Sequence, residues 1–442
     1  MKILYTNDTH SYLDDFARRS WLIKKLRDAD ALLLDSGDSV SGSIYYNLYE
    51  GAMEARLLSM LGYDAITFGN HDFDRGSAGV ANFLKHLTIP LISSNVDISK
   101  DPLLNQHLIF PYAVKQKMGI FALTTLETLD NAESSPETVF LDPIETAKAI
   151  VKKLQELEVK GIILLSHLGK TKDEELAQAV PDIDAIVGGH THDALGEPHY
   201  IGKTLILQAG CHGKYLGEAD LEAGTVTLHS IDETVPEDPE LIPFIREMQA
   251  ARDQYASLPI AETAVRLDGD RHQQKSRETN LGNLVVDAYF HKAKALGFAP
   301  DCGILNGLGI RTSIEAGPIT LGDLIKVLPY SKSLMVLRTT GANIKQALSH
   351  GLYPQVSQLK IRYEEGQLAE VLLKGKPLED HKLYTVATNT FCGTGKDGYH
   401  HGFSGAEILS ENISLDVDIL REYMNSLPQP IRYEPEGRIV KI

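Results

Sequence analysis

The chain has 442 residues, 43% of them hydrophobic, and a formal net charge of −17 at pH 7. That length allows two or three domains, and that composition sets aside fibrous and disordered classes. The negative surface opposes DNA, RNA and anionic membranes, so the expected partner is a small molecule and not a nucleic acid polymer or a membrane.

No run approaches the roughly 18 to 20 apolar residues that span a bilayer. The opening MKILYTNDTH turns polar too early for a signal peptide's apolar core, so a cytoplasmic chain is expected. Cys211, Cys302 and Cys392 are far apart and lack CxxC spacing, which implies neither a disulfide framework nor a thiolate metal site.

In chain order, strand-like runs lie near 2–6, 31–35, 65–68, 91–93, 119–125, 162–166, 184–188 and 204–209. Between them, ARRSWLIKKLRD, AMEARLLSML and PIETAKAIVKKLQEL carry apolar residues at helical period. This alternation predicts an α/β domain over 1–230. From 231 the chain becomes acidic and Pro-bearing (IDETVPEDPE), with a helix expected at about 239–257, so 231–262 reads as a linker and connecting helix. A second α/β unit is expected over 263–442, with a helix near 280–296, strands near 302–305, 334–339, 358–363 and 383–388, and a helix near 415–426.

Five apolar runs of the first domain each end in metal-type donors: Asp8 and His10, Asp38, Asn70 with His71, His167, and His190 with His192. Oxygen and imidazole donors recurring where strands end can converge on one rim, as a polynuclear metal site requires. Asp8 and His10 are two apart and project to one side if the strand persists. Taken singly, each has a plainer reading as a turn former, a cap or a surface histidine. Taken together in chain order, Asp-x-His, Gly-Asp, Gly-Asn-His-Asp, a strand-terminal His and Gly-His-x-His resemble the calcineurin-like metallophosphoesterase superfamily.

That resemblance implies a layered α/β/β/α domain and two divalent metal ions, one held by Asp8, His10, Asp38 and His192, the other by Asp38, Asn70, His167 and His190. Two cations about 3.5 to 4 Å apart need a shared anion, and Asp38 would bridge them. A water acidified by both ions would attack phosphorus in line with the leaving group. Donors of this kind suit Zn, Mn, Fe or Co alike. Some relatives carry Gln at the position of His192. The resemblance also implies a catalytic dyad of His71 and Asp74, the histidine stabilising the phosphoryl group or protonating the leaving oxygen. Asp72 receives no chemical role.

GDRHQQKSRETNLGNLVVDA at 269–288, ILNGLGIR at 304–311 and NTFCGTGKDGYH at 389–400 resemble the C-terminal, mixed α/β substrate domain of the 5'-nucleotidase and UDP-sugar hydrolase family. Matching positions imply that Arg271 and Arg311 hold phosphate, with Lys275 where some relatives have a second arginine. Asn306 would contact the base, Tyr330 and Phe391 would clamp it, and Asp397 would accept from the ribose hydroxyls. The chain departs from the family at Leu308 and Lys396, where glycines are usual, and at Tyr330, where Phe is common. The implied activity is release of phosphate from nucleoside 5'-monophosphates, a step in nucleotide catabolism. Alternatives are a nucleotide-sugar or dinucleotide pyrophosphatase, a 2',3'-cyclic nucleotide phosphodiesterase, or a non-catalytic nucleotide-binding module.

Overall fold

The computed structural model describes residues 1–131, 137–330, 332–410 and 414–442, and the chain divides into two compact units, Met1–Arg252 and Asp253–Ile442.

The first unit contains two sheets. One runs Thr225–Ser230, Tyr215–Asp220, Lys2–Thr6, Leu32–Asp35, Ala65–Ile66; the other runs His199–Ile201, Thr204–Leu207, Ala185–Val187, Gly161–His167, Met118–Thr124, Tyr112–Lys115. Their central strands pair in parallel. Successive side chains on a strand point to opposite faces, and here both faces are covered. Ile3, Tyr5, Leu32 and Leu34 pack against Ile120, Ile163, Leu165 and Val187 between the sheets. Leu4 and Leu33 face the helices Phe16–Leu26, Ala52–Leu61 and Gly76–His86, while Phe121, Ile162 and Leu164 face Pro143–Glu156 and Lys170–Ala179. The layers are therefore α/β/β/α.

Expected strand 91–93 forms only the isolated bridges Ile66↔Leu91 and Ile92↔Phe110. The helix expected near 239–257 runs Ile242–Ala256, and its Ile245 and Met248 join Ile231 and Leu241 in the first unit's core.

The second unit is built on a five-stranded sheet, Pro354–Ser357, Cys302–Asn306, Leu383–Asn389, Leu334–Thr340, Glu407–Ser410. Helix Asn280–Ala295 packs on the face of Leu305, Val336 and Ala387, and helix Gly341–His350 on that of Ile304, Met335 and Val386. Thr279 caps the first of these, its side chain accepting from the Gly282 N–H, and Thr340 caps the second through Asn343. Among the described residues, no helix is long and apolar enough to cross a membrane.

Candidate metal centre

In the first unit, every run that ends in a candidate ligand is a strand or a loop just past one. Asp8 and His10 follow Lys2–Thr6, Asp38 follows Leu32–Asp35, Asn70 follows Ala65–Ile66, His167 ends Gly161–His167, and His190 and His192 follow Ala185–Val187. The first strand does not persist to His10: Asp8, His10, Asp38, His190 and His192 have φ of 49°, 51°, 52°, 75° and 61°. Left-handed backbone costs a non-glycine residue roughly 1–2 kcal/mol, so five such residues at one rim are held there by their surroundings. The Asp8 N–H donates to Gly37 O at 2.9 Å, and the His10 N–H to Asp38 O at 2.9 Å. A Cβ on Gly69 would lie 2.1 Å from Asp38 Oδ1, so no side chain fits where that loop passes the carboxylate.

Asp8 and Asp38 are fully buried. Among the described residues neither meets a lysine or arginine; imidazoles face both. Asn7 Nδ2 donates to Asp8 Oδ2 at 2.6 Å, and the His190 N–H reaches both Asp8 oxygens at 3.1 and 3.0 Å. Asp38 Oδ1 accepts from the His71 N–H at 2.8 Å, while Oδ2 lies 3.1 Å from His167 Nε2 and 3.6 Å from His10 Nε2.

Whether these residues fit cations is decided at His167. Its Nδ1 donates to Ser36 O at 2.7 Å, so in the neutral ring Nε2 carries a lone pair. That atom is buried without a hydrogen-bond partner among the described residues, near Asp38 Oδ2 but out of alignment with it. Burial pushes its pKa down, yet the Asp38 and Asp8 carboxylates outweigh that and lift it to about 10. For Asp38, burial pushes upward, and the His167 and His71 imidazoles hold it well below the usual carboxylate range. Counting protein charges alone, the pocket draws in positive charge, and a divalent cation meets that demand for both carboxylates and the lone pair at once.

Two trios made up wholly of the expected ligands have donor atoms within 4.8 Å of one another: Asp8–His10–His192 and Asp8–Asp38–His167. His10 Nε2 and His192 Nε2 are 3.1 Å apart, and His190 Nδ1 stands 2.8 Å from Asn70 Oδ1. The structure thus brings all seven expected ligands to one rim, and places Asp8 in both trios where the family pattern assigns it to one position.

His71 Nδ1 lies 2.9 Å from Asp74 Oδ2, which also accepts from Ser41 Oγ at 2.6 Å. The His71 ring is 5.2 Å from that of His10 and about one third exposed, so it can reach a ligand at the rim. Asp72 shapes the loops: its Oδ2 accepts from the N–H groups of Gly69 at 2.6 Å and Asp38 at 3.1 Å. Burial, and then the Asp38 charge, push its pKa up to about 8.

Sequence reasoning misses Asn7, which orients Asp8, and the neighbouring Cys211 and His212. His212 closes the run TLILQAGCHG, the same signal as the other five, and its ring stacks on Tyr12.

In the second unit a cavity of about 300 Å³ is lined by Arg271, Asn306, Arg311, Tyr330, Phe391 and Asp397. Lys275 is absent from that lining; its ammonium stands 5.8 Å from the Tyr353 ring. The Arg311 guanidinium lies 5.2 Å from the Tyr330 ring centre, and Lys332 Nζ 5.6 Å from that of Phe391. Asn306 Nδ2 donates to Asp397 Oδ2 at 3.1 Å. Leu308 also lines the cavity, and Gln355 does so with a buried amide that has no hydrogen-bond partner among the described residues. Aromatic faces, guanidinium groups and a carboxylate together suit an anionic ligand with a planar ring and hydroxyls.

The family model for calcineurin-like phosphoesterase matches residues 1–194, and that for 5'-nucleotidase, C-terminal domain, matches residues 259–403. The chain is 33% identical to the trifunctional nucleotide phosphoesterase protein YfkN of Bacillus subtilis, which covers 100% of this chain while this chain spans 35% of that protein. It is 30% identical to the snake venom 5'-nucleotidase of Naja atra over 100% of this chain and 98% of that one. Among solved structures, the 5'-nucleotidase precursor of Thermus thermophilus superposes with a TM-score of 0.73 at 31% identity, covering 100% of this chain and 99% of that one.

Proposed function

The chain belongs to the 5'-nucleotidase family, with a calcineurin-like phosphoesterase unit followed by the family's C-terminal domain, and from that premise we propose that it is a two-metal phosphohydrolase releasing phosphate from nucleoside 5'-monophosphates. The observation that carries the reading is the Asp38 carboxylate. Its Oδ2 lies 3.1 Å from His167 Nε2 and 3.6 Å from His10 Nε2, within reach of one imidazole from each of the two ligand sets that the family pattern implies, and two cations that close need a shared anion.

Asp8, His10, Asp38 and His192 would hold one divalent ion, and Asp38, Asn70, His167 and His190 the other. When bound, the pair supplies Lewis acidity at phosphorus and a water of lowered pKa. The chain does the rest. Asp74 accepts from His71 Nδ1, which fixes the ring's tautomer and leaves Nε2 as the end that meets the phosphoryl group or the leaving oxygen. The strained rim holds its carboxylates in place beforehand, so little reorganisation is needed at the moment of reaction. Tyr330 and Phe391 take the base between their faces, Arg271 and Arg311 bind phosphate, and Asp397 accepts from ribose hydroxyls. Stacking depends weakly on base identity, so several bases should be accepted.

Purified protein, supplied in turn with Mn²⁺, Zn²⁺ and Co²⁺, should release inorganic phosphate from nucleoside 5'-monophosphates faster than it cleaves nucleotide sugars, dinucleotides or 2',3'-cyclic nucleotides. Faster cleavage of any of these others would move the activity to that class, and inertness toward all of them would make the chain a binding module.

A further inference from the structure

Beside the rim, Gly210, Cys211, His212 and Gly213 form a turn after strand Thr204–Leu207. Gly210, His212 and Gly213 have φ of 69°, 59° and 67°, so a non-glycine residue is again held in left-handed backbone. Two contacts hold it: the His212 N–H donates to Asp8 O at 2.7 Å, and the ring stacks on Tyr12 with centroids 4.2 Å apart at 28°. The His212 ring stands 5.8 Å from His192 and 5.7 Å from His10. Donor atoms of His192, Cys211 and His212 lie within 4.8 Å of one another. Among the described residues, no hydrogen bond engages the His212 ring nitrogens or the Cys211 thiol, and all three side chains are open to solvent in part.

We propose that His192, Cys211 and His212 form a third cation site, selective for a thiophilic divalent ion such as Zn²⁺, Cd²⁺ or Co²⁺. One thiolate and two imidazoles make a softer set than the carboxylate-rich trios, so Mn²⁺ prefers the rim and the softer ions take both. Binding releases the Cys211 proton to solvent and forms the metal–sulfur bond. The two sites share His192, whose Nε2 faces His10 Nε2 at 3.1 Å and Asp8 Oδ1 at 3.4 Å. With 39% of its side chain exposed, His192 can turn outward. The outer site draws on that ring together with the Cys211 thiol and the His212 ring. This shares His192 with the reading above but requires no phosphoester chemistry.

The test is a cobalt titration of the full-length, metal-free chain, followed by absorption. A thiolate-to-cobalt charge-transfer band in the near ultraviolet reports Cys211 alone, because Cys302 and Cys392 are 1% and 0% exposed. The wild type should show the band. Cys211→Ser should lack it. His212→Asn, chosen because Asn tolerates left-handed backbone, should need at least roughly tenfold more cobalt to reach it. Circular dichroism checks that both variants fold. Visible d–d bands without the thiolate band would overturn the third site, as would a band unchanged in His212→Asn. Failure of the two-metal reading looks different: the thiolate band would appear and the titration would saturate at one cobalt per chain, with no ions taken up at the rim. Absence of both bands would overturn both.

Discussion

Replacing Asn7 with alanine should loosen the rim without removing any candidate ligand. The Asn7 amide is 2% exposed and makes three hydrogen bonds: Nδ2 donates to Asp8 Oδ2 at 2.6 Å and to Gly210 O at 2.7 Å, and Oδ1 accepts from the Ala209 N–H at 2.7 Å. A bond to a carboxylate contributes about 1.5–3 kcal/mol and each neutral bond about 1 kcal/mol, so the substitution should cost about 3–5 kcal/mol. For a unit of this size that is a fall in Tm of roughly 6–20 °C. Freed from Asn7, Asp8 also loses its fixed direction, and loss of such an orienting partner weakens metal binding roughly 10- to 100-fold. Thermal melts with and without Mn²⁺, and a manganese titration followed by isothermal calorimetry, read the two effects separately. Wild-type manganese affinity in Asn7→Ala would refute the idea that this amide orients Asp8.

The other expectations concern each unit by itself. His71→Asn should lower kcat by roughly 10²- to 10⁴-fold with bound metal per chain unchanged, because its backbone N–H still donates to Asp38; metal loss on elemental analysis would make His71 structural. Phe391→Ala should weaken nucleoside monophosphate binding by about 1–3 kcal/mol, roughly 5- to 150-fold, and calorimetry showing no change would remove that ring from the site. In the second unit, Arg438 is paired bidentately with Asp287 at 2.8 and 2.7 Å, both buried. Arg438→Ala leaves that carboxylate uncompensated and should destabilise the unit by about 3–5 kcal/mol in a denaturant titration, whereas an unshifted midpoint would mean the pair contributes nothing.

Elements with a strong period are legible from residues alone. The helix AMEARLLSML has its expected bounds, Ala52–Leu61, and the strands that end at the rim stand out because parallel strands covered on both faces are continuous apolar runs. Strands Tyr215–Asp220 and Thr225–Ser230 escape such a reading. The second alternates polar and apolar residues over only six positions, and the first opens Tyr-Leu-Gly without a clean alternation, so the hydrophobic signal is dilute. Helix Gly341–His350 escapes it because glycine opens the segment and histidine closes it.

At the site, donor types and chain order are enough to bring seven residues together, since strand ends in such a fold converge. Backbone strain is not legible: nothing in Asp8 or His192 as letters announces a positive φ. Asn7 and Asp72 are passed over because they work by bonding to backbone groups of distant loops, a partnership visible only once those loops are in place. Lys275 enters on family position, yet its helix, Arg271–Ser276, directs Arg271 toward the cavity and Lys275 toward Tyr353.

Counting ions and released phosphate in the same sample puts the two-metal centre to its plainest trial. Manganese is added stepwise to metal-free wild type and Asp38→Asn while phosphate release from a nucleoside 5'-monophosphate is recorded at each occupancy. Two rim ions per wild-type chain are expected, with release that rises with the second, and with loss of both the second ion and the activity in Asp38→Asn. A wild type that binds two ions and releases no phosphate, or an Asp38→Asn variant as active as the wild type, would contradict a two-metal phosphohydrolase.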